Sequence, residues 1–411
     1  MLAGVRMAPA ASHLRSAGGP PAVATWWRVR YPGTAGRRRP DEVAAELGRR
    51  LRRAVARQSA GPGRITVPLS GGLDSRLCLA GVPEARRPDV TAFTWGDPGC
   101  LDRRYAPAIA RACGVRHLDL DYRYRALVEG AAAGAWITDG LAGATDFHIL
   151  AYVPDLAAGG EVVLNGFAGD VLLGGNFHWR RVRGLPRGLL APAVLRKRND
   201  ALPLPEAAAA LRGDVREAAA GLPAAYQAAF DAHRQEDPLG QLDAFLLDSR
   251  IRRWTSFGTQ LLRTRLVSRA PFYDLDFFDL VAEAPPAWRS EHRLYRRMLL
   301  RAFLEVAGIG WQTTGFPASW PSGPCRAAAA ALRRGRGALE RLSGGALPSP
   351  YPVARLARAF RGPLAPRLEA DLFRGADLHW EVFDRAFGER VWRELQAGAD
   401  GRAKLVGILL S

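Results

Sequence analysis

The sequence predicts an α/β chain built on a doubly wound parallel sheet, and three observations carry that prediction. Short apolar runs alternate with helical apolar spacing over roughly the first 180 residues. Two of those runs end in glycine-rich loops that each hold one acid: Ser70-Gly71-Gly72-Leu73-Asp74-Ser75 and Gly166-Phe167-Ala168-Gly169-Asp170. From about residue 240 the pattern becomes helical and stays so, which adds a helical C-terminal half. Ligands of such sheets sit at the carboxyl ends of the strands, where both loops fall.

Composition narrows the class. A chain of 411 residues can bury a large core and form two or three subdomains. The net charge of +18 would suit nucleic acid, but it is nearly all arginine scattered through helices, with only Lys197 and Lys404 as lysines. A bias toward arginine explains it, so nucleic acid is not the expected partner. Cys78, Cys100, Cys113 and Cys325 show no metal-like spacing and read as buried thiols, which fits a reducing cytoplasm. No apolar run reaches the ~18 residues that would span a bilayer. Residues 1–21 lack a signal pattern and read as a disordered Ala/Gly/Ser segment.

Taken in order, Trp26-Trp27-Arg28-Val29-Arg30-Tyr31 is an extended aromatic stretch in need of a surface. A helix follows from Pro40, with Asp41 as expected N-cap and Val43, Leu47, Leu51 and Val55 as its apolar stripe. Ile65, Val67 and Leu69 alternate in the first strand, Val90 to Trp95 form the second, Val115 to Leu120 the third and Glu161 to Gly166 the fourth. Between them, Asp102 opens a helix that Gly114 closes, and helical stretches cover about 126–136 and 147–157. Residues 180–240 are rich in Arg, Ala and Pro and read as an insertion or mobile connection. The apolar pattern recovers on a helix from Leu242 to Leu262, then on helices at 277–284 and 294–306. A Gly/Pro-bounded loop carries Trp311, Thr313 and Thr314, and basic helices fill 327–411.

The first loop is an anion site by its chemistry. Two glycines at a strand-to-helix corner allow positive φ and close approach of backbone N–H groups. The helix after them turns its unpaired amides to the same point. Ser70 and Ser75 add hydroxyls, and Asp74 can hold magnesium. A Walker loop is excluded, because no Gly-Lys-Ser/Thr ending is present. Residues 70–75 instead resemble the pyrophosphate loop (SGGxDS) of the ATP pyrophosphatases. The second loop places Asp170 at another strand end, so Asp74 and Asp170 can share one magnesium ion.

Four segments in this order, 70–75, 166–175, Arg269-Ala270-Pro271-Phe272-Tyr273-Asp274 and 311–317, resemble the synthetase domain of the asparagine synthetase family, which includes β-lactam synthetase and the lasso-peptide cyclases. The resemblance implies an adenine nucleotide α-hydrolase-like fold over residues 41–320, preceded by a short N-terminal segment (1–40) and followed by a basic helical region (321–411). It also implies adenylation of a carboxylate by Mg·ATP, then displacement of AMP by an amine. Carried onto this chain, Ser70, Gly71, Gly72, Asp74 and Ser75 hold the pyrophosphate end, with Gly166 and Gly169 lining the cofactor. Leu69 and Thr94 border the adenosine. Asp74 and Asp170 hold the metal, and Asp74, Asp170 and Arg269 form the catalytic set. The partners implied are a small-molecule or peptide carboxylate and an amine or ammonia donor, with a separate glutaminase subunit as one source of ammonia.

The chain departs from the family where the second half-reaction needs help. Phe167 stands where asparagine synthetase has Glu and β-lactam synthetase has Tyr, and Thr313 and Thr314 stand near the place of a catalytic Lys. Asp139, Asp146 and Glu291 are substitute bases by sequence, and Arg265, Arg269 and Arg293 substitute cations. Alternative readings are a tRNA-modifying pyrophosphatase of the same fold, or a nucleotide-binding homologue without transfer activity.

Overall fold

A computed structural model describes residues 5, 7–32, 38–174, 182, 184–198, 203–343, 346–374 and 378–410. Among the described residues there are seven strands. Strands β1 (Ser12–Arg15) and β2 (Ala22–Thr25) make an antiparallel hairpin. The other five are β3 (Ile65–Pro68), β4 (Val90–Gly96), β5 (Arg116–Asp121), β6 (Val162–Leu164) and β7 (Val267–Arg269). They form one parallel sheet in the order β5-β4-β3-β6-β7.

This order places the site. From β3 the chain winds outward to β4 and β5, then returns to β3's other side for β6 and β7. The direction reverses between β3 and β6, and a doubly wound sheet opens its crevice at such a point. Both glycine loops follow strands at that reversal.

Helix α1 (Pro40–Gln58) buries Val43, Leu47, Leu51 and Val55 and packs along the helix Arg293–Ala302. The two approach so closely that a Cβ on Gly48 would lie 2.2 Å from that of Ala302. Arg39, not Asp41, is the N-cap: Pro40 takes the first helical position and Glu42 reaches back to the Arg39 amide. Asp41 instead pairs with Arg297 and Arg301. Helices α2 (Leu73–Ala80) and α3 (Leu101–Ala112) follow β3 and β4, and Gly114 ends the turn after α3 at φ +64°.

Several expectations change in three dimensions. The hairpin β1–β2 gives order to part of the 1–21 segment that composition left unstructured, and nearly all of it is exposed, so backbone pairing replaces apolar burial there. Trp27 meets Phe278 edge-on and Tyr31 is buried, so the aromatic stretch found its surface. Strand β7 was not anticipated, since Val267-Ser268-Arg269 is too short for a visible alternation. Within 180–240, the described residues include helices Arg187–Arg198 and Leu222–Asp231, and Val182, Leu190, Val194 and Phe230 form a buried cluster with Leu242 and Phe245. The single helix expected at 242–262 is broken into Pro238–Leu246, a π-helical stretch Leu247–Thr255 and Phe257–Leu262. A second core gathers helices near the C-terminus around Phe360, Leu368, Val391 and Val406. No helix among the described residues is long and apolar enough to cross a membrane.

Candidate functional site

The loop after β3 is held by its own side chains. The Ser75 hydroxyl accepts the Ser70 amide at 3.0 Å, and the Ser70 hydroxyl accepts the Gly72 amide at 3.1 Å. Asp102, at the start of α3, accepts the Gly71 amide at 2.7 Å. These three amides are therefore engaged within the loop, and the first-turn amides of α2 are the remaining donors at this corner. Positive φ is not used: neither Gly71 nor Gly72 adopts it, and Gly72 caps α2 at φ −75°. The reason for glycine is crowding. A Cβ on Gly71 would lie 3.1 Å from Gln312 and 3.2 Å from the Leu101 carbonyl, and one on Gly72 would lie 2.8 Å from the Ser70 hydroxyl.

Behind the loop, the fully buried Arg76 donates to the carbonyls of Gly71, Val306, Ile309 and Gly310. Burial pushes its pKa down to about 10. The Gln312 amide returns to the Gly71 carbonyl at 3.1 Å. The loop around the buried Trp311, closed by a bridge between Gly310 and Pro317, is thereby locked to the first glycine loop.

The second loop meets the first through Asp74. The Asp170 amide donates to Asp74 Oδ2 at 3.0 Å, and the Tyr295 hydroxyl donates to Oδ1 at 2.6 Å. Gly166 and Gly169 are where this contact demands no side chain: a Cβ on Gly166 would lie 2.7 Å from the Asp74 backbone, and one on Gly169 would lie 2.8 Å from its carboxyl carbon. Both glycines, expected to line the cofactor, therefore pack closely against Asp74. Burial, then the charge of Asp170, push the Asp74 pKa up to about 7, against the opposing Tyr295 and Asp170 hydrogen bonds. Asp170 lies in the short helix Gly169–Leu172, capped by Ala168 in the left-handed region at φ +74°, and it stays partly exposed. Gly175, the last residue of the expected loop, lies outside the described residues.

Sequence reasoning missed His292. Its Nε2 hydrogen-bonds Asp170 Oδ1, and its Nδ1 faces a guanidinium nitrogen of Arg326. Arginine only donates, so Nδ1 accepts and the proton sits on Nε2, pointing at Asp170. The ring stacks near Tyr295 and meets Trp311 edge-on. Glu291 and His292 both lie in the left-handed region, at φ 56° and 61°, strained for residues with a Cβ. That double turn aims the imidazole, and no periodicity reveals it.

Leu69 and Thr94 do stand together at the ends of β3 and β4. The Thr94 hydroxyl donates to the Leu69 carbonyl at 2.6 Å, and His117 Nε2 lies 2.9 Å from the Thr94 hydroxyl oxygen. Arg269, expected in the catalytic set, donates from its guanidinium to the Gln58 carbonyl at the end of α1, where a cation also suits the helix C-terminus. Among the substitute bases, Glu291 lies beside His292 and pairs with Arg293 at 3.6 Å, whereas Asp139 ends the helix Ala131–Thr138 and Asp146 lies within Ala144–Tyr152. Phe167 rests against the Tyr273 ring, with centroids 5.6 Å apart. All four cysteines are buried and free.

Two loop-borne acids closed on each other at the switch point of a parallel sheet belong to an α/β protein. The profile of the asparagine synthase family matches residues 46–307, well over half of the chain. The chain belongs to that family, whose members are ATP-dependent ligases. No curated protein matches it.

Proposed function

We propose that the protein adenylates a carboxylate with Mg·ATP and passes the acyl group to an amine, forming an amide. The observation that carries this reading is the Asp74–Asp170 contact across the two glycine loops. A buried carboxylate beside a second one is costly, and a divalent cation would offset the burial and the Asp170 charge that raise the Asp74 pKa. Among the described residues no group of three or more His, Cys, Asp or Glu is placed to share a metal. Two acids suit magnesium, which keeps water or phosphate oxygens as its other ligands. Bound there, it would neutralise charge developing on the leaving pyrophosphate.

The chain's own residues would then divide the work. The first-turn amides of α2 and the Ser70 and Ser75 hydroxyls hold the phosphate end, and Leu69 and Thr94 border the adenosine. An oxygen of the substrate carboxylate bonds the α-phosphorus as the bond to the β-phosphate oxygen breaks, and pyrophosphate leaves. The amine next bonds the acyl carbon, AMP leaves with the electron pair, and the amine's proton passes to a base. Phe167 cannot take that proton. The reading is tested by screening carboxylates for pyrophosphate release from MgATP. Release that depends on one class of carboxylate, and amide formation when an amine is added, is the expected result. Absence of both with every carboxylate, while MgATP still raises the melting temperature, would leave a nucleotide-binding protein without the transfer step.

A further inference from the structure

The helix Ser322–Leu342 lies beyond the family-matched residues, and one of its faces runs along the site. Arg326, Arg333 and Glu340 recur every seven residues, two turns apart, and so share that face. Arg326 reaches His292 and lies over the Trp311 ring at 5.7 Å. Arg333 donates to the Thr313 carbonyl and lies over the Tyr351 ring at 4.7 Å. Glu340 binds Arg355 and the Ser349 amide. Arg355 and its neighbours in turn clasp the end of β4, through Asp97 and through the Asp97 amide on the Val353 carbonyl.

A triphosphate carries more negative charge than one magnesium ion cancels. The first glycine loop has no lysine, and the guanidinium next to it, Arg76, is turned inward onto four carbonyls. Arg333 grips the chain at Thr313, one residue from Gln312, whose amide bonds Gly71 and whose side-chain nitrogen lies 3.5 Å from where a Gly72 Cβ would be. Its guanidinium is exposed and has five donors, of which Thr313 uses one.

We propose that Arg333 is the side-chain cation of the polyphosphate site, brought to it by a helix outside the matched segment. Arg326, two turns earlier, is a positioning residue that holds His292 against Asp170. The inference rests on the adenylation reading and deepens it.

The test is calorimetric titration of the full chain with MgATP and, separately, with adenosine. Arg333→Ala should weaken MgATP about tenfold, the scale of one charge-assisted contact, and leave adenosine unchanged. Arg333→Lys should recover most of the loss, which a merely bracing side chain would not require. Arg334→Ala removes the same charge about 100° around the helix and should bind as the parent does. Should Arg333→Ala melt early, Arg333→Gln carries the comparison. Undiminished MgATP binding by Arg333→Ala, or an equal loss in Arg334→Ala, overturns the proposal alone. A parent chain that takes up no MgATP overturns it together with the adenylation reading.

Discussion

Asp74 sets the electrostatics of the site. In the unfolded chain its carboxyl has the ordinary pKa of 3.8; in the folded protein burial and the charge of Asp170 push it up to about 7. Between these values the folded protein holds a proton that the unfolded chain has lost, so stability falls as pH rises from about 4 to 7 and the penalty persists above 7. Asp74→Asn removes it. The variant should melt several degrees above the parent at about pH 8, the two converging toward about pH 4, while MgATP no longer raises its melting temperature. Melting curves across that range check both parts; a variant less stable at high pH, or one that still responds to MgATP, contradicts them. Gly166 is a second residue-scale test. Its missing side chain faces Asp74 backbone, which cannot swing aside. Gly166→Ala should therefore cost about 1–3 kcal/mol in urea unfolding and lose the MgATP shift with it.

Among the elements, the segment from Arg289 to the helix Arg293–Ala302 couples the second loop to the rest of the core. Arg289 is buried, paired with Asp243, and donates to the carbonyls of Leu172 and Ala284. Tyr31 lies under its guanidinium at 5.2 Å. One side chain thus ties the N-terminal aromatic stretch, the helix Pro238–Leu246 and the short helix bearing Asp170. Asp243 is left costly by this burial, its pKa pushed up to about 6 although Arg289 opposes the shift. Arg289→Ala strands that carboxylate and should destabilise the protein by about 3–5 kcal/mol. Arg289→Met combined with Asp243→Leu should recover much of the loss, because it removes both charges and keeps the volume. Denaturant midpoints of the two variants decide this; equal instability would mean that the carbonyl contacts, rather than the ion pair, carry the cost.

For the molecule as a whole, the net charge of +18 predicts weak, non-specific attraction to any polyanion. Retention on nucleic acid should fall steeply between about 50 and 200 mM salt, whereas the MgATP-induced rise in melting temperature should persist. Binding of one RNA that survives high salt would instead favour the tRNA-modifying alternative. The buried cysteines weigh against the thiol-dependent form of that chemistry, since burial pushes the Cys113 thiol up to about 11 and Cys78 higher still.

How much of this was legible in the sequence follows the range of the interactions involved. The alternating strands, the two glycine loops and the acids within them are local patterns, set by periods of two and 3.6 residues and by turn chemistry. They were enough to predict the parallel sheet and the family. Strand β7 escaped because three residues make no period, and its strand identity comes from pairing with β6. His292 escaped because its place depends on a strained double turn at Glu291 and His292, just after an Arg289–Ser290 peptide that leaves no room for a side chain on Gly174. Arg269 stood out by its motif, but its hydrogen bond to the end of α1, 211 residues away in sequence, has no local signal. Arg326 and Arg333 were two arginines among many until the fold laid their helix beside Trp311 and Thr313. Local pattern was enough to place two acid-bearing glycine loops at strand ends. Which charges face those loops followed from folding, because electrostatic energy depends on distance in space and burial rather than on order along the chain.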